Sequence, residues 1–475
     1  MSEPCFFLRC PMEILDQVIG DLQESPTPLR PLPGLLDHPD VDIAGTWKAA
    51  LDNYYAFGPL SFTCKTMAHL TNPLLYQRLN IFPYVKGELV SLVRHLLLHP
   101  DLALLVKEIS IEQGAALTLT DEETDFFKSY AKRLGVTWPD TSRRSTIELH
   151  PITLFQRQDT LSLLESVLFD LLLCTTLNVE EIMLDRRQEL SLGAQMPSTL
   201  KLESLVRFEV TSTMDADNVR SFASLFRHAP ALESVKLPVA SSLPNEFWES
   251  LGHVPFLHLE DDDMSRHDLD RIALLCPALE SLRLVCPPEH HFESVIDWYD
   301  HGFRDAFRPF KDTLRRLDLR FDRWALPHQH DPTARVEALR LKDFKALELL
   351  CVPALALGQP PIPGSEYDHI NGMWVSDGNP VPNMPASAIV DMLPESIECL
   401  SVDMLRKQLF PAIRELAEQT REGKYPNLKY LWYSNEDGSE EIGLNVEVVR
   451  AAFKGTQVKV REGWIMGWGW HRGQT

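Results

Sequence analysis

Two stretches of this chain nearly repeat each other: HAPALESVKL, ending at Leu237, and LCPALESLRL, ending at Leu284. In each, a helical pattern runs into a proline and then into L-x-x-[LV]-x-L, carried by Leu232, Val235 and Leu237 in one and by Leu279, Leu282 and Leu284 in the other. Alternation of this kind places successive apolar side chains on one face of a short strand. A strand with one apolar face cannot stand alone, so a second copy beside it is a strong constraint on the fold.

The pattern returns along most of the chain. It occurs at Val106, Ile109, Ile111; Val179, Ile182, Leu184; Leu205, Phe208, Val210; and Val254, Leu257, Leu259. It continues at Leu314, Leu317, Leu319; Leu347, Leu350, Val352; Ile397, Leu400, Val402; and Leu428, Leu431, Tyr433. From Val179 onward the shorter spacings fit the period of roughly 20–29 residues of leucine-rich repeats, and the longer ones require insertions. Between strands lie one-sided helical stripes: Val219, Phe222, Leu225, Phe226; Leu269, Ile272, Ala273, Cys276; and Leu409, Ile413, Leu416. The chain therefore resembles a leucine-rich-repeat α/β solenoid, in which each strand and helix buries its apolar face on its neighbours.

Composition excludes several function classes. The formal charge is −22, and such a field disfavours non-specific binding to nucleic acid or anionic membranes. No apolar run reaches the roughly 18 residues of a membrane span. The start, MSEPCFFLRCPMEIL, lacks a basic region ahead of its apolar residues and is a poor signal peptide. The 8 cysteines include no C-x-x-C pair, and no N-x-[ST] site occurs. Both suit a reducing compartment, so a soluble cytoplasmic or nuclear protein is expected.

The first eighty residues read differently. Ile14, Leu15, Val18, Ile19 and Leu22 line one helical stripe behind Pro11, with Glu13, Asp16, Gln17 and Asp21 opposite. Residues 25–40 lose all periodicity, with Pro26, Pro28, Pro31, Pro33, Gly34 and Pro39. Leu60, Cys64, Met67 and Leu70 mark a second helix, and Asn72 with Pro73 reads as the start of a third carrying Leu74, Leu75 and Leu79. The run CPMEILDQVIGDL followed by LSFTCKTMAHLTNPLLYQRL resembles the F-box of fungal F-box proteins. Pro11, Glu13, Ile14, Leu15, Ile19, Leu60, Cys64, Lys65, Pro73, Leu75 and Tyr76 fall on its pattern in order. Cys10 departs from the family's leucine before the proline, and an insert at about 23–57 separates the halves. The stretch LKDFKALELLCVPALALG, followed by LPESIECLSV, also resembles a segment of fungal F-box/leucine-rich-repeat proteins.

The expected organisation is thus α/β: a three-helix F-box-like domain over 1–82, then an irregular leucine-rich-repeat domain over 83–475. Insertions are expected at about 118–153, which is polar, and at 358–388, which is rich in Pro and Gly and carries Tyr367 and Trp374. A nucleophile elbow, a P-loop, a dinucleotide fingerprint and an H-E-x-x-H helix are all missing from the sequence. His290-His291 and His328-Gln329-His330 lack ligands at metal spacing, and the acidic run from Glu260 to Asp263 lacks EF-hand spacing. Arg315, Arg316, Arg320 and Arg323 flank Leu317 and Leu319 and are candidates to bind an acidic or phosphorylated motif. Trp464, Trp468 and Trp470 stand among glycines in the tail, as a cap on the last repeat or as an exposed partner site.

The resemblance implies a non-catalytic substrate receptor of an SCF-type cullin–RING ubiquitin ligase. The F-box residues Pro11, Ile14, Leu15, Ile19, Leu60, Cys64, Lys65, Pro73, Leu75 and Tyr76 would meet a Skp-type adaptor joined to a cullin. The repeats would hold a protein substrate, with Arg315, Arg316, Arg320, Arg323, Tyr367 and Trp374 as candidate contacts. No cofactor or metal, nucleic acid or membrane is implied. The alternative is a leucine-rich-repeat scaffold whose N-terminal helices only cap the array.

Overall fold

A computed structural model of the chain describes residues 65–81, 88–112, 119–139, 153–185, 190–211, 219–238, 243–260, 264, 266–286, 307–321, 339–357, 366–368, 373–375, 385–403, 409–433 and 446–462. The chain divides into two compact units, Met1–Leu205 and Val206–Thr475. Pro11, Ile14, Leu15, Ile19, Leu60 and Cys64, the insert at 23–57, Arg323 and the Trp/Gly tail lie outside the described residues.

In the first unit, helix α1 (Lys65–Gln77) runs straight into strand β1 (Arg78–Ile81), inside the segment assigned from sequence to the F-box-like domain. Strand β1 pairs in parallel with β2 (Glu108–Glu112), and β2 with β3 (Glu181–Asp185). The register aligns Leu79, Ile109 and Ile182, then Ile81, Ile111 and Leu184, and all six side chains are buried. The break expected at Asn72–Pro73 is absent: α1 passes through Pro73 as one helix. A proline there leaves the carbonyl of His69 without its helical donor, and the exposed position of Pro73 lets solvent meet that loss. Tyr76, at the end of α1, places its Oη 3.0 Å from Nε2 of His95 on helix α2 (Glu88–Leu98). The short α3 (Pro100–Ala103) turns the chain into β2.

The segment expected as a polar insertion at 118–153 holds a helix, α4 (Asp121–Leu134). Thr120 and Glu123 close a capping box at its start, and Gly135, at φ 75°, ends it in the left-handed conformation that glycine favours. Phe127 and Ala131, one turn apart, are its buried stripe. Helix α5 (Thr153–Thr175) is the centre of this unit, with Val167 to Cys174 buried on every side. Two polar groups lie among them, each bonded to the segment after β3. Ser166 Oγ accepts the Ser191 amide at 3.0 Å. Asp170 accepts from Gly193 N at 2.6 Å on one oxygen and from Gln195 N at 2.8 Å on the other.

The second unit carries nine parallel strands among its described residues. In order they are β4 (Arg207–Val210), β5 (Ser234–Leu237), β6 (Phe256–Glu260), β7 (Ser281–Cys286), β8 (Arg316–Phe321), β9 (Leu349–Pro353), β12 (Cys399–Asp403), β13 (Tyr430–Tyr433) and β14 (Lys459–Glu462). Strands β10 (Glu366–Asp368) and β11 (Met373–Val375) form a separate antiparallel hairpin within the 358–388 insertion. Every expected L-x-x-L-x-L segment from Leu205 onward is a strand of the ladder. The register lines up Phe208, Val235, Leu257, Leu282, Leu317, Leu350, Leu400 and Leu431, all fully buried. At roughly 1.5–3 kcal/mol for each fully buried side chain of this size, that row is a major part of the unit's cohesion.

The helical stripes face the same core. Helix α6 (Ala223–His228) buries Leu225 and Phe226, and Val219 and Phe222 just ahead of it are buried too. Helix α7 (Asn245–Ser250) buries Phe247 and Trp248. Phe226 packs edge-on to Phe208 at 5.1 Å between ring centroids and to Phe247 at 5.6 Å, so aromatic rings link β4, α6 and α7. Helix α8 (Arg266–Leu275) buries Leu269 and Ile272, whereas Ala273 of the expected stripe is only half-buried. A Cβ on Gly252 would lie 2.9 Å from the carbonyl oxygen of Leu275, so glycine is what lets α8 close on the preceding repeat. Helices α9 (Ala388–Met392), α10 (Phe410–Arg421) and α11 (Val446–Ala452) follow; Leu409, Ile413 and Leu416 are buried as expected. No helix among the described residues is long and apolar enough to cross a membrane.

Two tests follow from this packing. Phe226→Ala should lower the unfolding free energy by about 3–5 kcal/mol, read from the urea midpoint. Burial pushes the Asp170 carboxyl up to about 7, against the pull of the Gly193 and Gln195 amides. A carboxyl with a raised folded pKa contributes stability that is complete below its unfolded value near 3.8 and is lost as pH rises towards about 7. Stability should therefore decline between about pH 4 and 7 through this group, and Asp170→Ala should abolish that slope while lowering stability by about 2–4 kcal/mol through two orphaned amides.

Candidate recognition surface

Strand alternation that turns the leucines inward turns the intervening residues outward. The parallel register stacks these outward residues into two rows that cross the second unit. One row reads Arg207, Ser234, Phe256, Ser281, Arg316, Leu349, Cys399, Tyr430, Lys459. The other reads Glu209, Lys236, His258, Arg283, Asp318, Cys351, Ser401, Trp432, Arg461. Their chemistry changes along the face, with most of the charge over β4 to β8, mainly apolar and aromatic residues over β9 to β13, and cations again on β14.

The charged part is neutralised from within. Lys236 Nζ sits 3.1 Å from Glu209 and 3.2 Å from Glu260, and His258 Nε2 is 3.2 Å from the same Glu260 oxygen. Arg320 Nε reaches both oxygens of Asp318 at 3.1 Å, and Arg283 Nε approaches at 3.5 Å. The Asp318 side chain is only 3% exposed, so its charge is held by these two guanidinium groups. Burial pushes the His258 pKa down, with Arg283 and Lys236 adding to the effect, and the ring is neutral at pH 7 despite Glu260. Burial also pushes Glu260 up, but the His258 hydrogen bond and the Lys236 charge outweigh it and hold the carboxyl below its usual range. A hollow of about 320 Å³ opens here, lined among others by Arg207, Lys236, Phe256, His258 and Arg283.

The apolar part is built on two outward cysteines. Leu349, Cys351 and Cys399 form a buried cluster on the outward side, with Tyr430 and Trp432 packed against it. Burial pushes the Cys399 thiol up to about 12 and Cys351 well above its ordinary value, so neither is a ready thiolate. Buried Cys174 and Cys276, elsewhere, are likewise pushed up to about 12. Among the described residues no group of three or more His, Cys, Asp or Glu side chains could hold a metal ion.

The arginines expected to bind an acidic motif are not one cluster. Arg315 lies ahead of β8, exposed, with its guanidinium 2.5 Å from Glu348 and 4.0 Å from Glu280. Arg320 is committed to Asp318, and Arg316 alone lies in the outward row beside Leu349. Tyr367 and Trp374 are direct register partners across the β10–β11 hairpin. Of the expected adaptor residues within the described range, Pro73 is exposed, Leu75 half-buried, and Tyr76 turned to His95. Lys236, His258, Arg283, Asp318, Trp432, Lys459 and Arg461 were not anticipated. Most occupy the x of the final L-x-L in their repeats, so reading that one position across repeats would have found them.

No protein-family model matches this chain, and no curated protein matches it.

The two kinds of ion pair should separate in mutagenesis. Asp318→Ala strands two largely buried guanidinium groups and should destabilise by about 2–4 kcal/mol. Arg315→Ala removes a solvent-screened pair and should change the urea midpoint by less than about 1 kcal/mol.

Proposed function

We propose that this protein is a non-catalytic substrate receptor of an SCF-type cullin–RING ubiquitin ligase, with the N-terminal F-box-like segment docking on a Skp-type adaptor and a leucine-rich-repeat array holding the protein substrate. The observation that carries the recognition half is the outward face of the second unit, two continuous rows of side chains displayed at fixed register by nine parallel strands. A broad face of side chains at fixed register suits the binding of another macromolecule. Rate enhancement would come from holding the substrate near a ubiquitin-loaded conjugating enzyme, an effect of proximity. The adaptor half rests on the resemblance of Pro11, Ile14, Leu15, Ile19, Leu60, Cys64, Lys65, Pro73, Leu75 and Tyr76 to the F-box pattern.

One observation favours the second reading, a repeat scaffold with no ligase role. Helix α1 passes without a linker into β1, and Tyr76 is hydrogen-bonded to His95 of α2. That end of the F-box-like segment is therefore part of the first unit's three-stranded set, as a segment with a structural role would be.

Co-expression of the full chain with a Skp-type adaptor separates the two readings. The receptor reading expects a one-to-one complex on size exclusion, and it expects the double variant Ile14→Asp, Leu15→Asp to abolish that complex by burying charge in the contact. A wild-type chain that captures no adaptor, or a double variant that retains it, overturns the ligase role and leaves the scaffold.

A further inference from the structure

The far end of the outward face differs from the rest in what its cations do. Lys236, Arg283, Arg315 and Arg320 are each within ion-pair distance of a carboxylate. Among the described residues Lys459 and Arg461 of β14 have no such partner and are exposed, with aromatic rings beneath them. The Arg461 guanidinium lies 5.2 Å from the Trp432 ring centroid and 5.7 Å from that of Tyr430, and Lys459 Nζ lies 5.9 Å from Tyr430. Stacking on a ring occupies one face of a guanidinium and leaves its in-plane donors open to a planar anion. The two rings rest in turn on Leu349, Cys351 and Cys399, so the aromatic floor is fixed from below.

In the row that ends at Lys459 the next cation, on the other side of this floor, is Arg316, which forms no ion pair among the described residues. Arg316, Leu349, Cys399, Tyr430 and Lys459 occupy five adjacent strands. At about 4.8 Å per strand their span is roughly 19 Å, the length of about six residues of extended chain. Cations at both ends and an aromatic, apolar middle stand in a chain whose formal charge is −22. The overall field repels any anion in proportion to its charge, so a second copy at −22 or a nucleic acid is opposed more strongly than a short segment with a few carboxylates, which the local cations can offset.

We propose that this end of the second unit, from Arg316 across Tyr430 and Trp432 to Lys459 and Arg461, binds a short extended acidic segment of a protein partner, with carboxylates at its ends and apolar side chains between. The proposal deepens the receptor reading by assigning a chemical class to the bound protein. It rests on the outward face being the binding surface and does not require the adaptor.

The test uses the full chain and a fluorescein-labelled peptide, Glu-Glu-Leu-Phe-Leu-Glu, read by anisotropy. Saturable binding is expected, falling with added salt. The double variant Lys459→Glu, Arg461→Glu should weaken it at least about tenfold, since charge reversal replaces attraction by repulsion. Arg316→Glu should weaken it in the same direction, and Arg414→Glu, on the exposed face of α10, should not. A peptide with Lys in place of Glu should not bind. Absence of saturable binding to the wild-type chain overturns the proposal. So does equal affinity for the double variant when its thermal melt is unchanged, and so does binding confined to a phosphoserine version of the peptide. Adaptor capture by the same variants should be unaltered, so failure here and failure of the ligase reading are told apart by which complex is lost.

Discussion

At most of the described joints between repeats one backbone carbonyl accepts two amides of the next repeat. The oxygen of Val206 accepts the amides of Glu233 and Ser234, that of Pro255 accepts Glu280 and Ser281, and that of Glu280 accepts Arg315 and Arg316. The same two-to-one arrangement recurs at Arg315, Glu348 and Glu398. In the first unit Lys107 does likewise for Glu180 and Glu181. A turn just ahead of the strand aims these amides, with Leu232 N bonded to Ala229 O and Leu279 N to Cys276 O. Register is thereby set before any side chain is counted, and in a one-sided strand a slip by one residue would reverse every face. The inward leucine row and the outward charged and aromatic rows both inherit their order from this joint.

That order has a chemical consequence. Side chains at equivalent positions of neighbouring repeats meet at the strand spacing, so the sign and shape of one determine what the next can be. Glu209, Lys236 and Glu260 alternate in charge around a neutral His258, and Asp318 is shared by Arg283 and Arg320. Where the outward residues become Leu349, Cys351 and Cys399, charge alternation stops and burial takes over. Only at the last strand do cations return, supported by rings instead of carboxylates. The face thus changes from cations paired with carboxylates to cations set against aromatic rings.

The first unit solves a different problem with a buried acid. The stretch Val167–Cys174 of helix α5 is buried, and Asp170 within it is the acceptor that closes the segment from Gly193 to Gln195. A carboxyl with two aimed amide donors gives geometric definition that an apolar residue could not. Its cost is desolvation, visible in the upward shift to about 7.

How much of this was legible in the sequence can be followed residue by residue. Every L-x-x-L-x-L segment became a strand, because two-residue alternation with one apolar face leaves little other choice. The flanking strands β1 and β14 escaped notice: Tyr76 stands where the first leucine belongs, and Gln457 and Glu462 occupy inward positions beside Val460. The helix at 121–134 was hidden by its polarity, although the capping pair Thr120 and Glu123 was there to be read. The sequence alone determined the repeat, its inward face and the charge of the whole, since these depend on local periodicity and composition. Tertiary structure decided which outward side chains meet. Arg315 and Arg316 are neighbours in sequence, yet one pairs with Glu348 and the other ends an apolar row, because partners on this surface come from strands many residues apart.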